Sequence, residues 1–198
     1  MSFNALIYTT LIDPLLSGLR KAVVEAIDPS ATVLDVACGP GTLSLAISQK
    51  ANHVTGIDLD ENLILYAAGA ARKKGIRNAS FAMHDASDLS RYRDKEFDIA
   101  VTSMAVHQFS EELAVKILTE MKRIALKVII ADYNCPIPRG FSRSIAYGIE
   151  RITKGDHHKN FMNYMSKGGI GWFTDAAGMT IRSTRVKGNG VFRVIMCN

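Results

Sequence analysis

The sequence predicts an α/β fold: an open, doubly wound sheet of seven strands, mostly parallel, with the last strand antiparallel. Two observations carry this. From Ala31 to Asn134, short β-branched runs alternate with stretches of helical period. That is the pattern of repeated βα units, whose right-handed crossovers put helices on both faces of a parallel sheet. Past Gly178 the alternation stops, and MTIRSTRVK and VFRVIMCN flank Gly188-Asn189-Gly190 as a closing hairpin. The 198 residues are enough for one well-buried core and few for two. No repeat, low-complexity tract or linker divides them, so residues 1–198 read as a single domain opening with a helical segment over 1–30.

The elements follow in order. Asp13-Pro14 supplies a capping carboxylate and a proline at the first helical position. Leu15, Leu16, Leu19, Ala22, Val23, Ala26 and Ile27 then recur at helical spacing until Asp28-Pro29 ends the helix. ATVLDVA is the first strand, followed by a helix from Gly41 to Lys50. HVTGIDLD is the second, followed by a helix from Glu61 to Lys74 that Gly75 stops. ASFAMHDA and FDIAVTSM are the third and fourth. Ser110 caps a helix whose buried face holds Leu113, Ile117, Leu118, Met121 and Ala125, and KVIIADYN is the fifth strand. CPIPRGF then reads as loop, and Phe141, Ile145, Ile149 and Ile152 mark a helix. A polar, glycine-bearing stretch, GDHHKNFMNYMSKGG, precedes a short helix ending near Gly178. Residues 134–172 form an insertion after the fifth strand, glycine-rich enough for a mobile helical lid.

Charge is unevenly placed. Residues 1–100 carry 10 Lys/Arg against 12 Asp/Glu, whereas residues 133–198 carry 10 against 3. A scattered excess of this kind is usually a solvated surface. Its functional counterpart is an anionic substrate or a nucleic-acid backbone. Cys38, Cys135 and Cys197 lie far apart with no CxxC pair, the usage of a reduced, cytoplasmic protein. The N-terminal stretch lacks a positive leader region, and no apolar run reaches membrane-spanning length.

The stretch VLDVACGPGTLSLA, Val33 to Ala46, is where chemistry enters. The strand ends in Ala37-Cys38-Gly39-Pro40-Gly41, and glycines there let the backbone approach a ligand closely at a helix N-terminus. A dinucleotide fingerprint needs a third glycine where Ser44 stands. Asp35, inside the strand, would oppose a pyrophosphate but suits a cation. S-adenosylmethionine carries a sulfonium and an ammonium and no phosphate, so the sign of Asp35 favours it over NAD.

The stretch resembles motif I of the class I S-adenosylmethionine-dependent methyltransferases, a Rossmann-like family, and three further stretches agree in order. Ile57-Asp58-Leu59 ends the second strand, with Asp58 placed 17 residues past Gly41 as a ribose acid would be. His84-Asp85-Ala86 resembles the motif whose Asp accepts from the adenine amino group. FDIAVTSMAVHQF resembles the fourth-strand motif, which implies that Ser103 and Met104 line the methionine end. The resemblance thus implies cofactor contacts from Asp35, Ala37, Gly39, Gly41, Asp58, Leu59, Asp85, Ala86, Ser103 and Met104, with S-adenosylhomocysteine as product.

The acceptor is less legible, because displacement at a sulfonium-activated carbon needs alignment and at most one proton removed. The Asn/Asp-Pro-Pro-Tyr signature of exocyclic-amino methylation is replaced by Thr102-Ser103-Met104-Ala105. The small size and the S-M-A-V-H-Q-F run resemble the quinone-biosynthesis and metabolite branch. That resemblance implies a small acceptor bound by the N-terminal segment and the lid, and the basic last third allows for an anionic one. Tyr8, Tyr133, His158 and Tyr164 are the expected substrate residues, and His107 the candidate general base. The alternatives are an RNA methyltransferase using the basic last third, or a cofactor-binding, non-catalytic partner subunit. No metal site is expected, since no carboxylate or histidine stands at helical i, i+4 spacing from His157 or His158.

Overall fold

A computed structural model describes residues 16–152 and 156–198. The sheet has seven strands in the order β3-β2-β1-β4-β5-β7-β6. In chain order the elements are α1 (Ser17–Ala26), β1 (Thr32–Val36), α2 (Thr42–Ile47), β2 (His53–Asp58), α3 (Glu61–Lys73), β3 (Ala79–Met83) and β4 (Phe97–Ser103). A 3₁₀ turn, Val106–Gln108, leads to α4 (Glu111–Ile124) and β5 (Ala125–Tyr133). Three helices follow, α5 (Phe141–Ile152), α6 (His157–Ser166) and α7 (Ile170–Ala176), then β6 (Ile181–Lys187) and β7 (Phe192–Cys197).

β1 to β5 run parallel, and β7 enters antiparallel between β5 and β6. The order reverses between β1 and β4, which makes their carboxyl ends the expected ligand crevice. Register aligns those ends: Asp35 lies opposite Gly56 of β2 and Val101 of β4. Val33, Leu34 and Val36 of β1 and Ile99, Ala100 and Val101 of β4 are all buried, as strands covered on both faces must be. α4 lays Ala114, Ile117, Leu118, Met121 and Ile124 on the sheet, and its Ser110 cap accepts from the Leu113 amide as the sequence predicts. Among the described residues no helix is long and apolar enough to cross a membrane.

Three expectations shift. The helix after the glycine turn covers only Thr42–Ile47. The polar stretch after Asp156 folds into α6, because Phe161 and Tyr164, three apart, form a fully buried stripe that its polar composition hides. In α5 the inward face is Ala146 and Glu150, while Ile145 is 39% exposed. Asp13, Pro14 and the rest of residues 1–15, Tyr8 included, lie outside the described residues.

Candidate active site

A cleft of about 380 Å³ opens at the carboxyl ends of β1, β2, β3 and β4. Ala37, Gly39 and Gly41 all take positive φ, at 57°, 55° and 76°, so the loop after β1 turns tightly beneath the cleft. Gly41 is required twice over. A Cβ there would stand 2.6 Å from Ala67 Cβ and 2.9 Å from the Phe81 ring. Met104, just past β4, is also left-handed at φ 56°, a strained conformation of the kind retained at ligand sites.

Asp58 organises the floor. Its Oδ2 accepts from the Gly39 amide at 2.7 Å and its Oδ1 from the Asp60 amide at 3.0 Å. One carboxylate therefore ties the β1 loop to the β2 end and keeps lone pairs directed at the cleft. Asp60 in turn caps α3, accepting from Asn62 and Leu63. Leu59, beside them, is 70% exposed, an apolar platform for a flat ring. Asp85 Oδ1 accepts from the Ser87 amide at 2.8 Å, and that bond chiefly holds its carboxyl below the usual range.

Asp35 is fully buried and bonds the Ser44 hydroxyl at 2.5 Å. Burial pushes its pKa up to about 7, the Ser44 bond opposing and nearby Asp58 reinforcing the shift. Ser44 thus serves as the partner of Asp35, which a third glycine could not. Burial likewise holds the Cys38 thiol far above its ordinary range, so it is packing and not a thiolate.

Of the cofactor residues expected from sequence, Asp35, Ala37, Gly39, Asp58, Leu59, Asp85, Ala86, Ser103 and Met104 line the cleft, and Gly41 supports it from behind. Sequence reasoning missed other walls: Leu16 at the cap of α1 and Arg20 within it, Leu43 from α2, and Gln108, Phe109, Leu113 and Ile117 after β4. Lys116 acts electrostatically on Asp85, which puts the first turns of α4 at that end of the cleft.

The lid-side residues lie elsewhere. His107 is 1% exposed and lines no part of the cleft. Its Nδ1 lies 2.6 Å from Asp132 Oδ1, and its Nε2 lies 3.5 Å from Glu150 Oε1. Burial alone would lower its pKa, but the Asp132 and Glu150 carboxylates outweigh burial and raise it to about 9. Glu150 shows the counterpart: burial would raise its pKa, but the adjacent His107 and His157 imidazoles outweigh burial and hold it far below the usual range. The Tyr133 hydroxyl donates to Glu150 Oε1 at 2.8 Å, and the Tyr164 hydroxyl donates to the Tyr133 carbonyl at 2.7 Å. Tyr133 and Tyr164 are buried beneath α5 and α6, and the structure does not bring them to the cleft. His158 is half-buried, next to His157 at the start of α6. The spacing argument against a metal does not hold in three dimensions. His107, Glu150 and His157 converge from separate elements, their ligand-type atoms within 4.8 Å of one another.

Fold and cleft together define a class, and the comparisons agree. A family model described as a methyltransferase domain matches residues 33–127. That match spans just under half of the chain, and it supports a class I S-adenosylmethionine-dependent methyltransferase. The uncharacterized methyltransferase YcgJ of Bacillus subtilis (strain 168) is 29% identical over 105 residues, 52% of this chain and 41% of that protein. A ubiquinone biosynthesis O-methyltransferase of Pseudomonas fluorescens is 25% identical over 154 residues, 76% of this chain and 65% of that protein. This chain therefore covers less than two thirds of the length of either relative. A solved S-adenosylmethionine-dependent methyltransferase from Aquifex aeolicus shares the fold at a TM-score of 0.72. It has 20% identity, covering 99% of this chain and 98% of that one.

Proposed function

We propose that this chain transfers a methyl group from S-adenosylmethionine to a small acceptor with an apolar body and an anionic group. The observation that carries the acceptor class is the lining of the cleft away from Asp85. There Leu16, Leu43, Met104 and Ala105 are apolar, and Arg20 is the one Lys or Arg among the described lining residues. Asp35 faces the cationic methionine tail, Asp58 the ribose hydroxyls, and Leu59 with Asp85 and Ala86 the adenine. A guanidinium carries five N–H donors, so Arg20 can take an acceptor carboxylate or phenolate beside the interaction it already makes.

Catalysis on this reading is alignment. The sulfonium already activates the methyl carbon, so the walls need only hold the nucleophile in line with the breaking C–S bond while water is excluded. The pair of electrons in that bond leaves with sulfur, giving S-adenosylhomocysteine. His107, with both ring nitrogens facing buried carboxylates, is assigned no proton transfer in the cleft.

The test is calorimetry with S-adenosylhomocysteine, followed by methyl transfer from labelled donor to phenolic and carboxylic acids. Arg20→Met should raise KM for the acceptor about tenfold or more, as loss of a charged hydrogen bond does, and leave S-adenosylhomocysteine affinity unchanged. A matching fall in cofactor affinity would instead give the guanidinium to the cofactor's own carboxylate.

A further inference from the structure

We propose that His107, Glu150 and His157 form a binding site for one first-row divalent cation, best matched by Zn²⁺, under the lid and behind the wall of the cleft. The donors come from three elements: His107 from the 3₁₀ turn after β4, Glu150 from the end of α5, and His157 from the first turn of α6. All three side chains are largely buried, at 1%, 5% and 17% exposure.

The second observation is a pair of orphaned atoms. Glu150 Oε2 and His157 Nε2 are 2.6 Å apart, yet neither has a hydrogen-bond partner. Two unsatisfied polar atoms facing each other in a buried pocket are what a bridging cation would resolve. The surroundings are those of a ligated histidine. Asp132 holds His107 Nδ1, leaving Nε2 directed at the centre, and the Tyr133 hydroxyl fixes the other oxygen of Glu150. Among the described residues, the ion pairs of the buried carboxylates Asp132 and Glu150 are all with histidines, and a divalent ion would take the place of the imidazole protons as their positive partner.

Two imidazoles and one carboxylate select zinc, cobalt or iron over magnesium and calcium, which take oxygen donors. Tetrahedral zinc with bonds of about 2.0–2.1 Å sets ligand atoms about 3.3 Å apart. The Glu150 oxygens lie 3.5 Å from His107 Nε2 and 2.6 Å from His157 Nε2, either side of that value, and all the ligand-type atoms fall within 4.8 Å of one another. A fourth position stays with water. Bound there, the ion would staple α5 and α6 to the 3₁₀ turn that follows the central strand β4, whatever the methyl acceptor is.

The experiment uses tag-free full chain, stripped with chelator and dialysed against Zn²⁺, with metal counted by elemental analysis and Co²⁺ substitution followed in the visible spectrum. One Zn²⁺ per chain, a Zn²⁺-dependent rise in Tm and four-coordinate Co²⁺ bands are expected. His157→Ala and Glu150→Gln should each weaken Zn²⁺ binding at least about tenfold and abolish the Tm rise. S-adenosylhomocysteine should still bind both variants. His53→Ala, at the amino end of β2, should bind Zn²⁺ as the wild type does. Substoichiometric zinc in the wild type, or one equivalent retained by both variants, overturns the site. Should either variant fail to fold, the Co²⁺ spectrum of the wild type decides, and its absence counts against the proposal.

Discussion

Asp58 is asked to do most in the smallest space, holding two backbone amides and a proposed ribose. Asp58→Asn keeps the shape but turns charged acceptors into neutral ones. A loss of about 1.5–3 kcal/mol in S-adenosylhomocysteine binding is expected, roughly tenfold to a hundredfold, read by calorimetry. Asp35 predicts a pH effect. Its pKa in the fold, about 7, exceeds the ordinary value of 3.8, so the folded chain holds the proton more tightly than the unfolded one. Its contribution therefore falls as pH rises from about 4 to about 7 and is flat above. Relative to Asp35→Asn, the wild type without ligand should lose Tm between those pH values. A cationic tail reverses the preference, since it needs the carboxylate. Binding at pH 7 should release about half a proton, seen as a dependence of the calorimetric heat on buffer ionisation; no such dependence would put the ammonium elsewhere. Asp35, Asp58 and Asp85 were readable from sequence because each lies at or beside a strand end, where residue spacing fixes position. Glu150 was not. Its partners are 17 and 43 positions back along the chain, at Tyr133 and His107, and nothing local marks an acid among isoleucines as inward-facing.

At the scale of elements, the joint between β1 and α2 shows how tightly the sheet end is built. Gly41→Ala must hold a left-handed φ while its methyl meets Ala67 and Phe81. A loss of about 1–3 kcal/mol in unfolding free energy is expected from overpacking, with weaker S-adenosylhomocysteine binding because the loop must shift. Denaturant unfolding with and without ligand separates the two effects, and unchanged stability would mean that Phe81 swings aside freely. Strands and the long helices α3 and α4 were legible because their apolar residues keep one period. α6 was not, because only Phe161 and Tyr164 of its ten residues are fully buried, and its charged and amide side chains read as loop. The cluster beneath the lid was illegible for the same reason, since it needs α6 to be a helix before His157 can face His107.

For the whole molecule, the basic excess of the last third is the feature still without a partner. β6 exposes Arg182 and Arg185 on the sheet edge, and Arg185 already pairs with Glu25. Charged side chains on an unpaired strand blunt edge-to-edge association, which gives this charge a role without any nucleic acid. Binding to generic RNA should accordingly be weak at physiological salt. A steep fall in a strong affinity between 50 and 200 mM salt would restore the RNA reading, because each phosphate neutralised adds close to one unit of slope.

The place of β7 has a consequence for synthesis. It is last of the seven strands, yet it lies inside the sheet, its residues 192–197 laddered to β5 on one side and β6 on the other. On the ribosome, which emits the chain N-terminus first, β5 emerges about sixty residues before its neighbour. During that interval VIIADY waits with an open row of amides and carbonyls, an apolar edge able to join any passing strand. Yield in a cell should therefore depend on what shields this edge until the final strand slots in, and only then is the sheet, with the catalytic cleft at its end, locked against rearrangement.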